Sequence, residues 1–182
     1  MKKRITALGL LWCLSAVMLQ AARVDTVLVR SVAMNKDVKV VYVLPDKAIG
    51  KQACPVVYLL HGYGGNARSW MQLKPELPQM ADEKGIIFVC PDGKNSWYWD
   101  SPENPAYRYE TFVTSELVKY TDGNYATIPD RKARAISGLS MGGHGALWSA
   151  IRHKDVFGAA GSMSGGVDIR PFPPNWGMSK QL

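Results

Sequence analysis

The sequence predicts an α/β fold: a mostly parallel sheet with helices on both faces, entered through an N-terminal antiparallel hairpin. Two continuous apolar runs, Val56-Val-Tyr-Leu-Leu and Ile86-Ile-Phe-Val-Cys, read as strands buried on both faces, which is the habit of parallel sheets. Helical patterns over residues 76–84 and 109–120 alternate with them. A third short strand, residues 133–136, passes through Gly138-Leu-Ser-Met-Gly142 directly into another helical pattern.

Taken in order, Val24 to Val32 and Val38 to Leu44 are rich in β-branched residues and partly alternating, and Met34-Asn-Lys-Asp37 between them is turn-forming. They make the hairpin. Pro45 ends it, and residues 46–52 read as a solvated loop. The strand at residues 56–60 runs into His61-Gly-Tyr-Gly-Gly65, and the strand at 86–90 ends at Pro91-Asp-Gly93. Residues 94–108 form a long loop carrying Trp97, Tyr98, Trp99 and Tyr107, and the helix that follows places Phe112, Leu117 and Val118 on one face. A small-residue strand, residues 157–165, comes after the Gly-rich helix; the tail from Pro171 fits neither helix nor strand. There are no internal repeats and no domain linker.

Strand, Gly-x-Ser-x-Gly and helix in succession are the setting in which a serine is presented as a nucleophile. The flanking glycines let the turn close where any Cβ would collide, and Ser140 is held above the sheet edge. Gly142, Gly143 and Gly145 all fall early in the following helix, where each costs about 1 kcal/mol relative to Ala. They are explained if that helix lies almost backbone to backbone on the sheet. In open parallel sheets the active site lies at the carboxyl ends of the strands, so residues 61–65, Asp92-Gly93 and Ser140 should share one rim. A serine attacking a carbonyl needs donors for the developing oxyanion. The N–H of Met141, at the start of the helix, is one candidate. The N–H of Tyr63 is the second, with Gly64 as its alternative. Trp97, Tyr98 and Trp99 are candidates for a substrate rim, where they would stack on a sugar or an aryl acid, or else cover the sheet edge.

The composition is that of an ordinary globular domain, 47% hydrophobic and 20% charged. Lys2-Lys3-Arg4, an apolar run over residues 5–19 broken only by Ser15, and Gln20-Ala-Ala22 read as a secretory signal peptide, residues 1–22. Residues 23–182 are then the mature domain, secreted or periplasmic, meeting the membrane only through that transient leader. Cys13 in the apolar run, with Trp12 before it, argues against a lipoprotein site. Loss of the leader takes three positive charges from the net +7, and the remaining charges form no basic stripe, so no nucleic acid partner is expected. Cys54 and Cys90 flank neighbouring strands at opposite ends, about 16 Å apart, whereas a disulfide needs Cα atoms within about 7 Å. They should be two buried thiols. The residues ask for no cofactor and no metal.

His61-Gly-Tyr-Gly-Gly65, Cys90-Pro-Asp-Gly93, Ser96-Trp-Tyr98, Ile128-Pro-Asp-Arg131 and the stretch from Arg134 to Leu147 together resemble the esterase D-like α/β-hydrolases, over about residues 38 to 168. That group includes tributyrin-type carboxylesterases, feruloyl and acetylxylan esterases, S-formylglutathione hydrolase and the antigen 85 mycolyltransferases. The resemblance implies an eight-stranded sheet, Ser140 as nucleophile, the position of Tyr63 as oxyanion donor, and a small-molecule or carbohydrate ester as substrate. With the leader, it implies a secreted carboxylesterase rather than the cytosolic formylglutathione enzyme.

The family also places an acid and then a histidine after later strands, in the order Ser, Asp, His. Here Asp168 lies just past the sixth strand and no histidine follows it. His61 reads as a brace of the oxyanion loop, and His144 as a position the family fills without catalytic duty. His153 suits the negative end of its helix. The expectation is an N-terminal portion of an α/β-hydrolase domain lacking the last strands. It would be inactive alone, its open edge strand prone to self-association, with the Asp and His encoded about 40 to 100 residues further on. The alternatives are an acyltransferase to a sugar hydroxyl and an inactive sugar-binding relic.

Overall fold

The computed structural model describes residues 22–168, so the leader up to residue 21 and the tail from Pro171 lie outside the described residues. The hairpin strands β1 (Arg23–Ser31) and β2 (Lys36–Leu44) pair antiparallel in register, Arg23 opposite Leu44 and Ser31 opposite Lys36. The loop expected after Pro45 instead begins with one helical turn, α1 (Asp46–Ile49), for which Pro45 is the N-cap residue. Then come β3 (Val56–Leu60), α2 (Ser69–Leu73), α3 (Leu77–Lys84) and β4 (Ile87–Pro91). The helix expected from Tyr109 is made of α4 (Tyr109–Thr111), a π-helical segment (Phe112–Glu116) and α5 (Leu117–Asn124). β5 (Arg134–Leu139), α6 (Met141–Arg152) and β6 (Ala159–Met163) complete the described chain.

The sheet order is β1-β2-β4-β3-β5-β6, with β4, β3, β5 and β6 mutually parallel and β2 antiparallel to β4. From β3 the chain passes to β4 on one side and then to β5 on the other. That reversal opens a crevice at the carboxyl end of β3.

The strand period of two sends side chains to two cores. Val40, Tyr42, Tyr58, Leu60, Val89 and Ile136 face α4–α6, meeting Phe112, Leu117, Met141 and Ala146. Val41, Val43, Leu59, Phe88 and Cys90 face α2 and α3, meeting Trp70, Leu77 and Ala81. Phe112 and Leu117 are both fully buried although five residues apart. The π-helical turn brings this spacing onto one face. Cys54 and Cys90 are free and buried, and burial pushes the Cys90 thiol up to about 12. No helix among the described residues is long and apolar enough to cross a membrane.

Candidate active site

Ser140 is the residue between β5 and α6, with φ 54° and ψ −115°, a conformation that is costly for any residue with a Cβ. It is exposed, its hydroxyl does not cap α6, and its N–H donates to the Met163 carbonyl at 2.8 Å. The glycines around it are fixed by backbone contact. A Cβ on Gly138 would lie 2.2 Å from the Gly142 carbonyl oxygen, and one on Gly142 would lie 2.2 Å from the Leu60 carbonyl oxygen. The start of α6 therefore rests directly on the end of β3. Gly145 meets the Tyr98 ring in the same way, at 2.6 Å. With an α-helix starting at Met141, unpaired N–H groups and the positive end of the dipole sit beside Ser140.

Residues 61–65 meet Ser140 from β3, and an added Cβ at Gly62 would stand 3.6 Å from Ser140 Cβ. The loop after β4 holds this segment. Gly93 N–H donates to His61 Nε2 at 2.9 Å, which leaves the ring proton on Nδ1, donating to the Gly62 carbonyl at 2.7 Å. The Tyr98 hydroxyl accepts the His61 N–H at 3.0 Å and donates to the His61 carbonyl at 3.3 Å. Gly64 N–H donates to Asn95 Oδ1 at 2.8 Å. Among the described residues the Tyr63 N–H has no such partner, and the Tyr63 side chain is exposed. Asp92 lies 3.7 Å from His61 Nε2 and accepts the N–H and the ammonium of Lys94. Burial alone would raise the Asp92 carboxyl, but the N–H and the ammonium of Lys94 hold it below the usual carboxylate range.

Of the three aromatic rim candidates, the structure buries two and leaves Trp99 half-buried. Trp97 and Tyr98 carry φ of 55° and 60°, which turns both rings back into the protein, where they are 4% and 0% exposed. The Tyr98 hydroxyl braces the loop after β3 against the loop after β4. Trp97 and Trp99, the latter half-buried, pack with Trp148 around His144, with ring centroids 5.5, 5.1 and 6.1 Å from it.

The ring of each of the three histidines has a hydrogen-bond partner other than Ser140. His61 holds its own loop, and His144 Nδ1 lies 2.8 Å from the Gly166 carbonyl. His153 Nε2 donates to Glu110 at 2.8 Å. Burial lowers the His144 pKa, against the contact with Gly166. Glu110, on α4, also accepts from Trp148 Nε1 and Arg152 Nε, both at 2.7 Å. No sequence signal marked Glu110 or Asn95, because their partners are 31 to 43 residues away. Among the described residues no cluster of three or more His, Cys, Asp and Glu is placed to hold a metal.

The model of the Esterase family matches residues 31–181, most of the chain. The chain belongs to the Esterase family. Among solved structures, a ferulic acid esterase is 30% identical with a TM-score of 0.74, covering 89% of this chain and 67% of that one. S-formylglutathione hydrolase from Agrobacterium tumefaciens is 25% identical with a TM-score of 0.76, covering 88% and 63%. Among curated relatives, the acetyl esterase of Caldicellulosiruptor saccharolyticus is 28% identical over 68% of this chain and 49% of its own length. Diacylglycerol acyltransferase/mycolyltransferase Ag85A of Mycobacterium leprae is 34% identical over 80% and 44%. The chain thus spans about half the length of the curated relatives it matches. The fold is that of the esterase D-like α/β-hydrolases, with the antiparallel hairpin and parallel strands expected from the sequence.

Proposed function

We propose that this chain carries the nucleophile and oxyanion side of a serine carboxylesterase site, with Ser140 as nucleophile and the N–H groups of Met141 and Tyr63 as oxyanion donors. The observation that carries this reading is the backbone of Ser140, strained and exposed where β5 turns into α6. The occupied N–H of Gly64 favours Tyr63 as second donor. In the reaction, Ser140 Oγ attacks the ester carbonyl carbon and its proton passes to a general base. The carbonyl oxygen takes up the negative charge against the two N–H groups; the C=O bond then re-forms as the bond to the alcohol breaks, and the leaving alcohol oxygen receives the proton from the base. Water then hydrolyses the acyl-enzyme and regenerates Ser140.

Among the described residues no histidine ring is hydrogen-bonded to Ser140, so a histidine base and its acid partner are assigned to the part of the esterase domain that the relatives have and this chain does not span. The ester is a small-molecule or carbohydrate-linked one, acetyl or feruloyl, in keeping with the acetyl esterase and ferulic acid esterase relatives. The leader pattern in residues 1–22 supports export, and amino-terminal sequencing of the mature protein tests it. For activity, the test is hydrolysis of p-nitrophenyl acetate by the full-length protein: turnover lost in Ser140→Ala is expected, and equal turnover in that variant overturns the reading. A second reading, transfer of the acyl group to a sugar hydroxyl, is favoured by the mycolyltransferase relative. An acylated sugar formed when one is supplied as acceptor would establish it.

A further inference from the structure

The geometry points to Asn95 as a positioning residue for the oxyanion hole, which rests on the reading of Ser140 and Tyr63 above. The Tyr63 N–H belongs to the same planar peptide as the Gly62 carbonyl, and in a trans peptide the two point in opposite directions. That carbonyl is gripped from behind by His61 Nδ1 at 2.7 Å and by Gly65 N–H at 3.0 Å. The plane is therefore anchored on its oxygen side, with the Tyr63 N–H facing away. The next peptide, Tyr63 to Gly64, would be free to rotate, because Gly64 has φ 76° and open space around its Cα. Its N–H is held by Asn95 Oδ1 at 2.8 Å. Asn95 thus fixes the far side of Tyr63 and removes the Gly64 N–H from competition for the oxyanion. The asparagine is half-buried, and it follows Lys94, which has a φ of 50°. The chain takes a conformation that is costly for a lysine, and this delivers the Asn95 side chain to Gly64.

Asn95 touches neither the reacting serine nor the carbonyl, so its effect should fall on the transition state and spare ground-state binding. In Asn95→Ala the kcat for p-nitrophenyl acetate should fall about tenfold with KM within about twofold. The preference for an oxygen ester over its thionoester, whose sulfur accepts hydrogen bonds poorly, should shrink by a similar factor. Asn95→Asp keeps the acceptor oxygen and should recover most of the lost kcat. Independently of turnover, exchange of the Gly64 amide proton should speed up about tenfold in Asn95→Ala while that of Gly65 stays unchanged. Unchanged kcat and unchanged ester preference in Asn95→Ala overturn the inference, as does a loss that Asn95→Asp does not rescue. Turnover that survives Ser140→Ala removes the reading beneath it, a different result from a Ser140-dependent enzyme indifferent to Asn95.

Discussion

The two sides of Ser140 are finished to different degrees. On the β3–β4 side the strands are buried almost throughout, and hydrogen bonds to and from Gly93, Asn95 and Tyr98 tie one loop to the next. On the β6 side the strand pairs with β5 alone among the described residues, and four of its five residues are exposed. An oxyanion hole has to be rigid before substrate arrives, since its donors stabilise charge only if they need no reorganisation. The locked flank carries the candidate donor Tyr63. The exposed flank carries the Met163 carbonyl that receives the Ser140 N–H, on a strand whose side chains mostly face water.

The difference is largest for glycine substitutions. Gly142→Ala sets a Cβ against the backbone of Leu60 and His61, which cannot step aside, and should cost more than about 3 kcal/mol. On the open flank, a Cβ at Gly161 would meet only the Ser137 side chain, its hydroxyl at 3.0 Å and its Cβ at 3.6 Å. Gly161→Ala should stay within about 1 kcal/mol of the parent. Urea unfolding midpoints of the two variants check this, and equal losses would mean that the flanks do not differ.

The elbow was legible in the sequence because its requirements are local: two glycines and a serine at fixed spacing define the turn. Strands β3 and β4 were legible because burial on both faces leaves a continuous apolar run. Which way the rings of the Trp97–Trp99 segment face was not legible, because Trp97 and Tyr98 are two consecutive residues at positive φ, which neither Trp nor Tyr advertises. α2 gave no periodic signal at five residues, and α1 is a single turn set by Pro45. The π-helical turn was visible only in hindsight, as Phe112 and Leu117 five residues apart on one buried face.

The second largest effect concerns the far end of α6. Glu110 gathers Trp148, Arg152 and His153 onto one buried carboxylate, so Glu110→Ala leaves the Trp148 N–H and two other donors without their acceptor. A loss of about 2 to 3 kcal/mol is expected, discounted for the exposed Arg152 side chain. Burial opposes ionisation here, but the three hydrogen bonds outweigh it and lower the Glu110 pKa from 4.5. The folded state therefore holds the carboxylate ionised more firmly than the unfolded chain does. Its stabilisation is complete above about pH 4.5 and is lost as the pH falls through the lowered folded value. The gap between parent and Glu110→Ala should narrow in acid, and a gap that widens would contradict the assignment.

A smaller effect is expected within the locked flank. Tyr98→Phe preserves the ring that fills the space left by Gly93 and Gly145, and removes only the oxygen that accepts the His61 N–H. A buried donor without its acceptor costs about 1 to 2 kcal/mol, readable as a lower thermal midpoint. A midpoint equal to the parent's would show that His61 and Asn95 hold the loop unaided.

The least effect on stability, and the clearest one on behaviour, belongs to the open flank. An edge strand with unpaired N–H and carbonyl groups and small, exposed side chains is a template for pairing with another chain. β6 has that character, with Ala159, Ala160, Ser162 and Met163 all exposed. We expect the chain to self-associate through this edge in a concentration-dependent way. Ala159→Lys places a charge at the start of β6, at the end away from Ser140, opposite Ala135. Its side chain can reach water, so folding stability should change by less than about 0.5 kcal/mol. A second copy pairing along the edge would have to bury that ammonium or hold two of them together, so association should weaken at low salt and recover partly at high salt. Size-exclusion chromatography over a concentration series reads this directly. A parent chain that elutes as a monomer at every concentration would mean that β6 is already protected, and would remove the contrast between the two flanks as far as association is concerned.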